Sequence, residues 1–112
     1  MLRLSGFPII VIYNSNMDKL SEDEVQKRLL DLAGWDLVDG KLYKEYKFKD
    51  FHQAFNFMND LAITINKLDH HPDWSNTYNK VFISLVTHSA GGITELDFKL
   101  AKTAQELSDH YL

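Results

Sequence analysis

Asp39-Gly40 stands between two runs that read as short strands, Trp35–Val38 and Leu42–Phe48. Asp-Gly between such runs is the strongest short-range hairpin signal, because both positions tolerate a positive φ. A connection that short joins antiparallel strands. Helices are predicted around this hairpin. Ser21 with Glu24 is a capping box, in which hydroxyl and carboxylate reciprocally satisfy backbone N–H groups. Leu20 and Val25 stand where a hydrophobic staple would place them, and Val25, Leu29, Leu32 and Ala33 form an apolar stripe that Gly34 ends. Asp50 with Gln53 opens a second helix, with Phe51, Ala54, Phe55, Met58, Ala62 and Ile65 predicted on its apolar face through Leu68. Pro72 is expected to end it, since a proline pushes the residue before it out of the helical region. Ser75–Asn79 fits a strand, a turn or both. Val81, Ile83 and Leu85 then alternate with Phe82, Ser84 and Val86 in the period of a strand. Beyond Gly91-Gly92, Thr94 with Asp97 is another capping box, stapled by Ile93 and Phe98, and Leu100, Ala101 and Ala104 continue a helix toward Leu107. The order α-β-β-α-β-β-α predicts an α+β fold: an antiparallel sheet of about four strands with three helices packed on one face.

No repeat, low-complexity tract or linker interrupts this pattern, so residues 17–112 read as one domain and 1–16 as an N-terminal extension. Within its apolar run Phe7–Tyr13, the β-branched residues bounded by Pro8 and Asn14 suggest an additional strand. A single basic residue, Arg3, and Asn14-Ser15-Asn16 in place of a small-residue cleavage site argue against a signal peptide, which makes the cytoplasm the expected location. The 45% hydrophobic content of the 112 residues is too high for a disordered chain. With no cysteine, a disulfide scaffold and any Cys-ligated metal site are excluded. No apolar run approaches the ~20 residues that span a bilayer. A net charge of −4 without a Lys/Arg cluster speaks against a phosphate-driven nucleic-acid binder. Any chemistry must therefore use histidines, carboxylates and backbone groups.

Of five histidines, His52 and His110 lie among polar neighbours on helices and read as solvated. His70-His71-Pro72 stands at a helix-to-extended transition, where adjacent side chains diverge and Pro72 fixes the backbone direction. At a helix C-terminus the macrodipole favours imidazolium, which suits His70 to general acid work. His88 ends a strand just before Ser89-Ala90-Gly91-Gly92, where backbone can approach a ligand closely. These residues have blander readings too: a helix C-cap, a satisfied strand end, or a His₃ zinc site, the last weakened by the adjacency of His70 and His71 and the lack of H-E-x-x-H spacing. Asp97 and Thr94 read as a cap. Trp74 reads as core or pocket wall, and the Phe51–Ile65 stripe as core or oligomer contact.

The run His70-His71-Pro72-x-Trp74-x-Asn76-x-Tyr78-Asn79-x-Val81, followed by Leu85-x-Thr87-His88-x-x-Gly91-Gly92-x-Thr94-x-x-Asp97-x-x-Leu100-Ala101, resembles the pterin-4a-carbinolamine dehydratase family. The likeness is dense over residues 70–101 and extends upstream to about Leu20, through Gly34-Trp35 and the helix beginning at Phe51. The resemblance implies a hydro-lyase that dehydrates a 4a-hydroxytetrahydropterin to the quinonoid dihydropterin, in recycling of a tetrahydrobiopterin-type cofactor, with no metal and no cofactor of its own. It implies His70 and His88 as the acid/base pair and His71 as the residue that binds and positions substrate. The three imidazoles are expected to line one pocket, within about 10 Å of one another, since proton transfer needs hydrogen-bond reach. Backbone groups around Ser84–Thr87 would bind the pterin's amide-like edge as a strand edge can, making Ser84 and Thr87 substrate-binding residues. Pro72 and Trp74 would shape the wall. Some relatives carry an acidic residue one helical turn before the first histidine, where this chain has Asn66. Asp69 is therefore the candidate to orient an imidazole and joins the substrate-binding set. The implied partners are the pterin, a second copy of the chain in a dimer or tetramer joined through sheet edges and the second helix, and an aromatic amino acid hydroxylase pathway as supplier, with no nucleic acid and no membrane. The rival reading is a protein-interaction module on the same fold, either a dimerisation cofactor for a homeodomain-type transcription factor or an assembly chaperone.

Overall fold

The computed structural model describes residues 18–111; the 1–16 extension and its expected strand over Phe7–Tyr13 lie outside them. Within the described residues the elements are α1 (Glu22–Leu29), β1 (Asp36–Val38), β2 (Lys41–Lys47), α2 (Phe51–Leu68), β3 (Asp73–Thr77), β4 (Lys80–Leu85) and α3 (Glu95–Ser108), with a 3₁₀ turn at His88–Ala90. The four strands pair antiparallel in the order β1-β2-β4-β3. The expected α+β order therefore holds throughout this part of the chain.

Both hairpins depend on residues that accept a left-handed backbone. Asp39 and Gly40 have φ of 52° and 76°, the pair of positive values a tight two-residue turn requires. In the β3–β4 turn Tyr78 takes a φ of 52°. Asn76 supports it, its side-chain amide donating to the carbonyls of Tyr78 at 3.0 Å and Lys80 at 2.9 Å. Register then fixes the faces, because side chains alternate along a strand. Tyr46 pairs with Val81, and Leu42 with Leu85; together with Ile83 these side chains are buried against the helices. Trp74 pairs with Ile83 and so faces the same way, whereas Tyr43, Phe82 and Ser84 occupy the opposite face.

Tyr46 is the centre of the aromatic core. Its ring lies 5.1 Å from Phe57, 6.1 Å from Phe48 and 6.2 Å from Trp35, centroid to centroid. Its hydroxyl accepts from Trp35 Nε1 at 3.1 Å and donates to Gln105 Oε1 at 2.9 Å. Burial disfavours the phenolate and pushes the Tyr46 hydroxyl up to about 12. Lys44 donates to the same Gln105 oxygen and to the Ala33 carbonyl, which ties β2 to α3 and to the loop after α1.

Three local expectations are corrected. First, α1 ends at Leu29, and Ala33 is exposed in the following turn, while Leu32 is buried. Its capping box is half made: Ser21 Oγ accepts from Glu24 N at 3.1 Å, but the Glu24 carboxylate accepts from Arg28 Nε, at 2.9 Å. Arg28 also donates to Glu95 Oε1 at 2.7 Å, pinning α1 to the start of α3. Second, the buried face of α2 is Ala54, Phe57, Leu61 and Ile65, whereas Phe51 and Phe55 are 48% and 53% exposed. Counting apolar residues merged two faces into one stripe. Third, α2 stops before Pro72 can act. Asp69 takes the left-handed conformation (φ 48°), and its N–H closes the helix on the Ile65 and Asn66 carbonyls.

Candidate active site

The helix end that Asp69 creates aims the next two residues in different directions. His70 turns inward and is 9% exposed, with its backbone N–H on the Ile65 carbonyl at 3.2 Å. His71 turns outward. The buried imidazole finds a buried carboxylate: His70 Nε2 lies 2.6 Å from Asp97 Oδ1. A carboxylate only accepts hydrogen bonds, so against the Asp97 carboxylate the proton in this contact sits on Nε2.

Asp97 has no solvent contact, and its second oxygen is equally occupied. Oδ2 accepts from the Thr94 backbone N–H at 2.9 Å and from Thr87 Oγ1 at 2.8 Å. The capping box at the start of α3 is complete, so the expectation that Thr94 and Asp97 form a cap holds. That description was too small, however. The carboxylate that caps α3 also holds His70, which settles what orients this imidazole in a chain with Asn66 at the upstream position. Asp69 does not do so: its carboxylate is exposed and lies 3.5 Å from Nε2 of His71.

The other expected site residues fall at separate places in the fold. His71, Pro72 and Trp74 line a cavity of about 450 Å³ with Asn59, Ile63 and Asn66 of α2. His70 and His88 are not among the residues that line this cavity. His88 opens the 3₁₀ turn after β4 and is exposed. Ser84, with Tyr43 and Asp73, lines a second concavity of about 270 Å³ on the opposite face of the sheet, where Trp74 also reaches. Among the described residues no group of three or more His, Asp or Glu side chains is placed to hold a metal ion.

The strand-edge expectation for Ser84–Thr87 needs correction, because β4 is a central strand. Ser84 pairs with Tyr43 on one side and Asp73 on the other. At Thr87 the N–H donates to the Gly92 carbonyl at 3.0 Å, and the carbonyl accepts from Gly92 at 3.3 Å and Ala90 at 3.1 Å. Between them the β3 ladder ends at the Asp73–Ser84 pair, while β2 still pairs with Leu85. The N–H-less Pro72 directly precedes β3. On that side no described strand pairs with Leu85 or Val86.

Comparison with known proteins finds close relatives of the whole described domain. A family model described as pterin 4 alpha carbinolamine dehydratase matches residues 18–107. A protein of Solibacter usitatus provisionally named pterin-4-alpha-carbinolamine dehydratase is 49% identical over 90 residues, covering 80% of this chain and 95% of that one. A Brucella ovis protein with the same provisional name is 48% identical over 87 residues, covering 76% and 90%. The crystal structure of a transcriptional coactivator/pterin dehydratase from Brucella melitensis superimposes with a TM-score of 0.78 at 46% identity, over 80% of this chain and 98% of that one. With its fold, its His70–Asp97 pair and its motif all inside the matched span, the chain belongs to the pterin 4 alpha carbinolamine dehydratase family.

Proposed function

We propose that this protein dehydrates a 4a-hydroxytetrahydropterin to the quinonoid dihydropterin, the step that returns a tetrahydrobiopterin-type cofactor to use after aromatic hydroxylation. The observation that carries the reading is the buried His70–Asp97 pair at 2.6 Å. The reaction breaks the C4a–O bond, releases the hydroxyl as water with one added proton, removes the proton from N5 and forms the C4a=N5 double bond. One group must give a proton and another must take one. His70 is suited to take it at Nδ1, because Asp97 holds the tautomer and stabilises the imidazolium that forms. His88, exposed on its turn, is the partner that protonates the departing hydroxyl. His71, Pro72 and Trp74 supply the binding wall, and the open backbone at Leu85–Val86 supplies donors and acceptors for the amide-like edge of the ring. The test is stopped-flow dehydration of chemically generated 4a-hydroxytetrahydropterin. Acceleration over the spontaneous reaction is expected; a rate equal to the spontaneous one would end the reading.

A second role has its own support. Phe51 and Phe55 pack ring to ring at 5.7 Å on the outer side of α2, and Ile63, farther along the helix, is also exposed. A face of this composition is suited to a helical partner. We place a second copy of the chain there, in a dimer or tetramer. The Brucella melitensis relative, a transcriptional coactivator/pterin dehydratase, makes a foreign helix the alternative occupant, so that the enzyme would double as an interaction module.

A further inference from the structure

Thr87 stands at the N-cap of the 3₁₀ turn that carries His88, where a threonine hydroxyl ordinarily caps the backbone, yet its side chain makes no capping bond. Its N–H and carbonyl are both engaged by Gly92, so neither is free for a ligand. What remains is the hydroxyl, which is buried and bonded to two groups: Asp97 Oδ2 and Thr94 Oγ1, each at 2.8 Å.

The direction of these bonds follows from counting protons. The ionised Asp97 carboxylate has none to give, so the single hydroxyl proton of Thr87 goes to Oδ2. Thr94 must then donate its proton to Thr87, and Thr94 Oγ1 is free to accept from the Leu96 N–H, which lies 3.2 Å away. Each hydroxyl in this ladder has one orientation, and the ladder starts on a helix N-terminus and ends on the carboxylate that holds His70. We propose that Thr87 is a positioning residue for the dehydration: its hydroxyl holds Asp97 in the orientation that presents Oδ1 to His70 Nε2, and so sets where the His70 Nδ1 atom stands. The proposal rests on the proposed acid/base role of His70. Thr87 thereby acts on the reaction from inside the protein, without touching substrate.

The experiment is stopped-flow dehydration by Thr87→Val and Thr87→Ser, each made in the wild-type and in a His70→Ala background. Thr87→Val keeps the shape and removes the donor; kcat is expected to fall about tenfold with KM changed less than about twofold, the split expected when alignment rather than binding is lost. Thr87→Ser restores the hydroxyl and is expected within about twofold of wild type. In the His70→Ala background, Thr87→Val should cost less than about twofold, since residues acting through one group are not additive. A purely structural threonine would lower the melting temperature and leave these ratios alone. Wild-type kcat in a folded Thr87→Val protein, or an undiminished loss in the His70→Ala background, overturns the proposal. If Thr87→Val does not fold, Thr87→Cys, a similar shape with a weak donor, takes its place with a smaller loss of the same sign and the same dependence on His70. His70→Ala at the full wild-type rate would instead overturn the acid/base reading beneath the proposal, and is distinguishable because it needs no Thr87 variant.

Discussion

At the scale of single residues, a carboxylate without solvent contact persists only where donors meet it, and Asp97 has three: an imidazole, a hydroxyl and a backbone N–H. An amide in its place cannot accept all three, because its NH₂ must face one of them. Asp97→Asn is therefore expected to destabilise the fold by about 1–3 kcal/mol, the cost of a buried unsatisfied polar group. It should also slow dehydration at least about tenfold by releasing His70. Calorimetry and kinetics on the same preparation check both, and an unchanged rate would detach the carboxylate from the chemistry. This pairing was not legible in the sequence. His70 and Asp97 are 27 positions apart, and the local pattern Thr94-x-x-Asp97 already explained the aspartate as a cap. A residue with two jobs shows only the local one in its spacing. Tyr46 offers a test of the core at the same scale. Its pKa is raised from 10 to about 12 in the fold by burial, so the unfolded chain loses that proton first as pH rises. The sign follows: this contribution is intact below pH 10 and is lost between pH 10 and about 12. Stability should therefore fall across that window, and Tyr46→Phe should remove this part of the slope. An identical alkaline slope in the Phe variant would contradict it.

At the scale of elements, the signals that survived were those whose physics is local. Asp39-Gly40 read directly as a tight hairpin, and both residues have the positive φ that reading required. Val81, Ile83 and Leu85 alternated in the sequence and are buried in the fold. Helix α2 was legible as a helix but not in its phase, because Phe51 and Phe55 are as apolar as Phe57 and Leu61, and periodicity cannot say which of two apolar faces meets the sheet. Likewise, that β4 is central rather than an edge is set by which strands flank it, a long-range fact. The misread face has a use in the account, since it is where a second copy is placed. Phe55→Glu puts a charge at its middle without touching the buried side of α2. The variant is expected to sediment as a monomer with native circular dichroism, while the wild type sediments as a dimer or tetramer. Equal sedimentation of the two proteins would move the interface elsewhere.

At the scale of the whole molecule, the sheet and helices bring two distant segments into one arrangement. The residues just after α2 supply His70 and His71, the link from β4 to α3 supplies Thr87 and His88, and the first turn of α3 supplies Asp97. Among the described residues no helix is long and apolar enough to cross a membrane. Legibility at this scale came from the motif over residues 70–101, which pointed to the family before any geometry was known. It came less from composition, which only removed alternatives. The central claim is that two histidines from these two segments move the two protons of the dehydration. The direct measurement is the stopped-flow rate for wild type, His70→Ala, His88→Ala and the double variant with the same 4a-hydroxytetrahydropterin. Each single variant is expected to lose roughly 10- to 1000-fold, the range for removing one acid/base group, and the double variant to approach the uncatalysed rate; a double variant as fast as wild type would contradict the account.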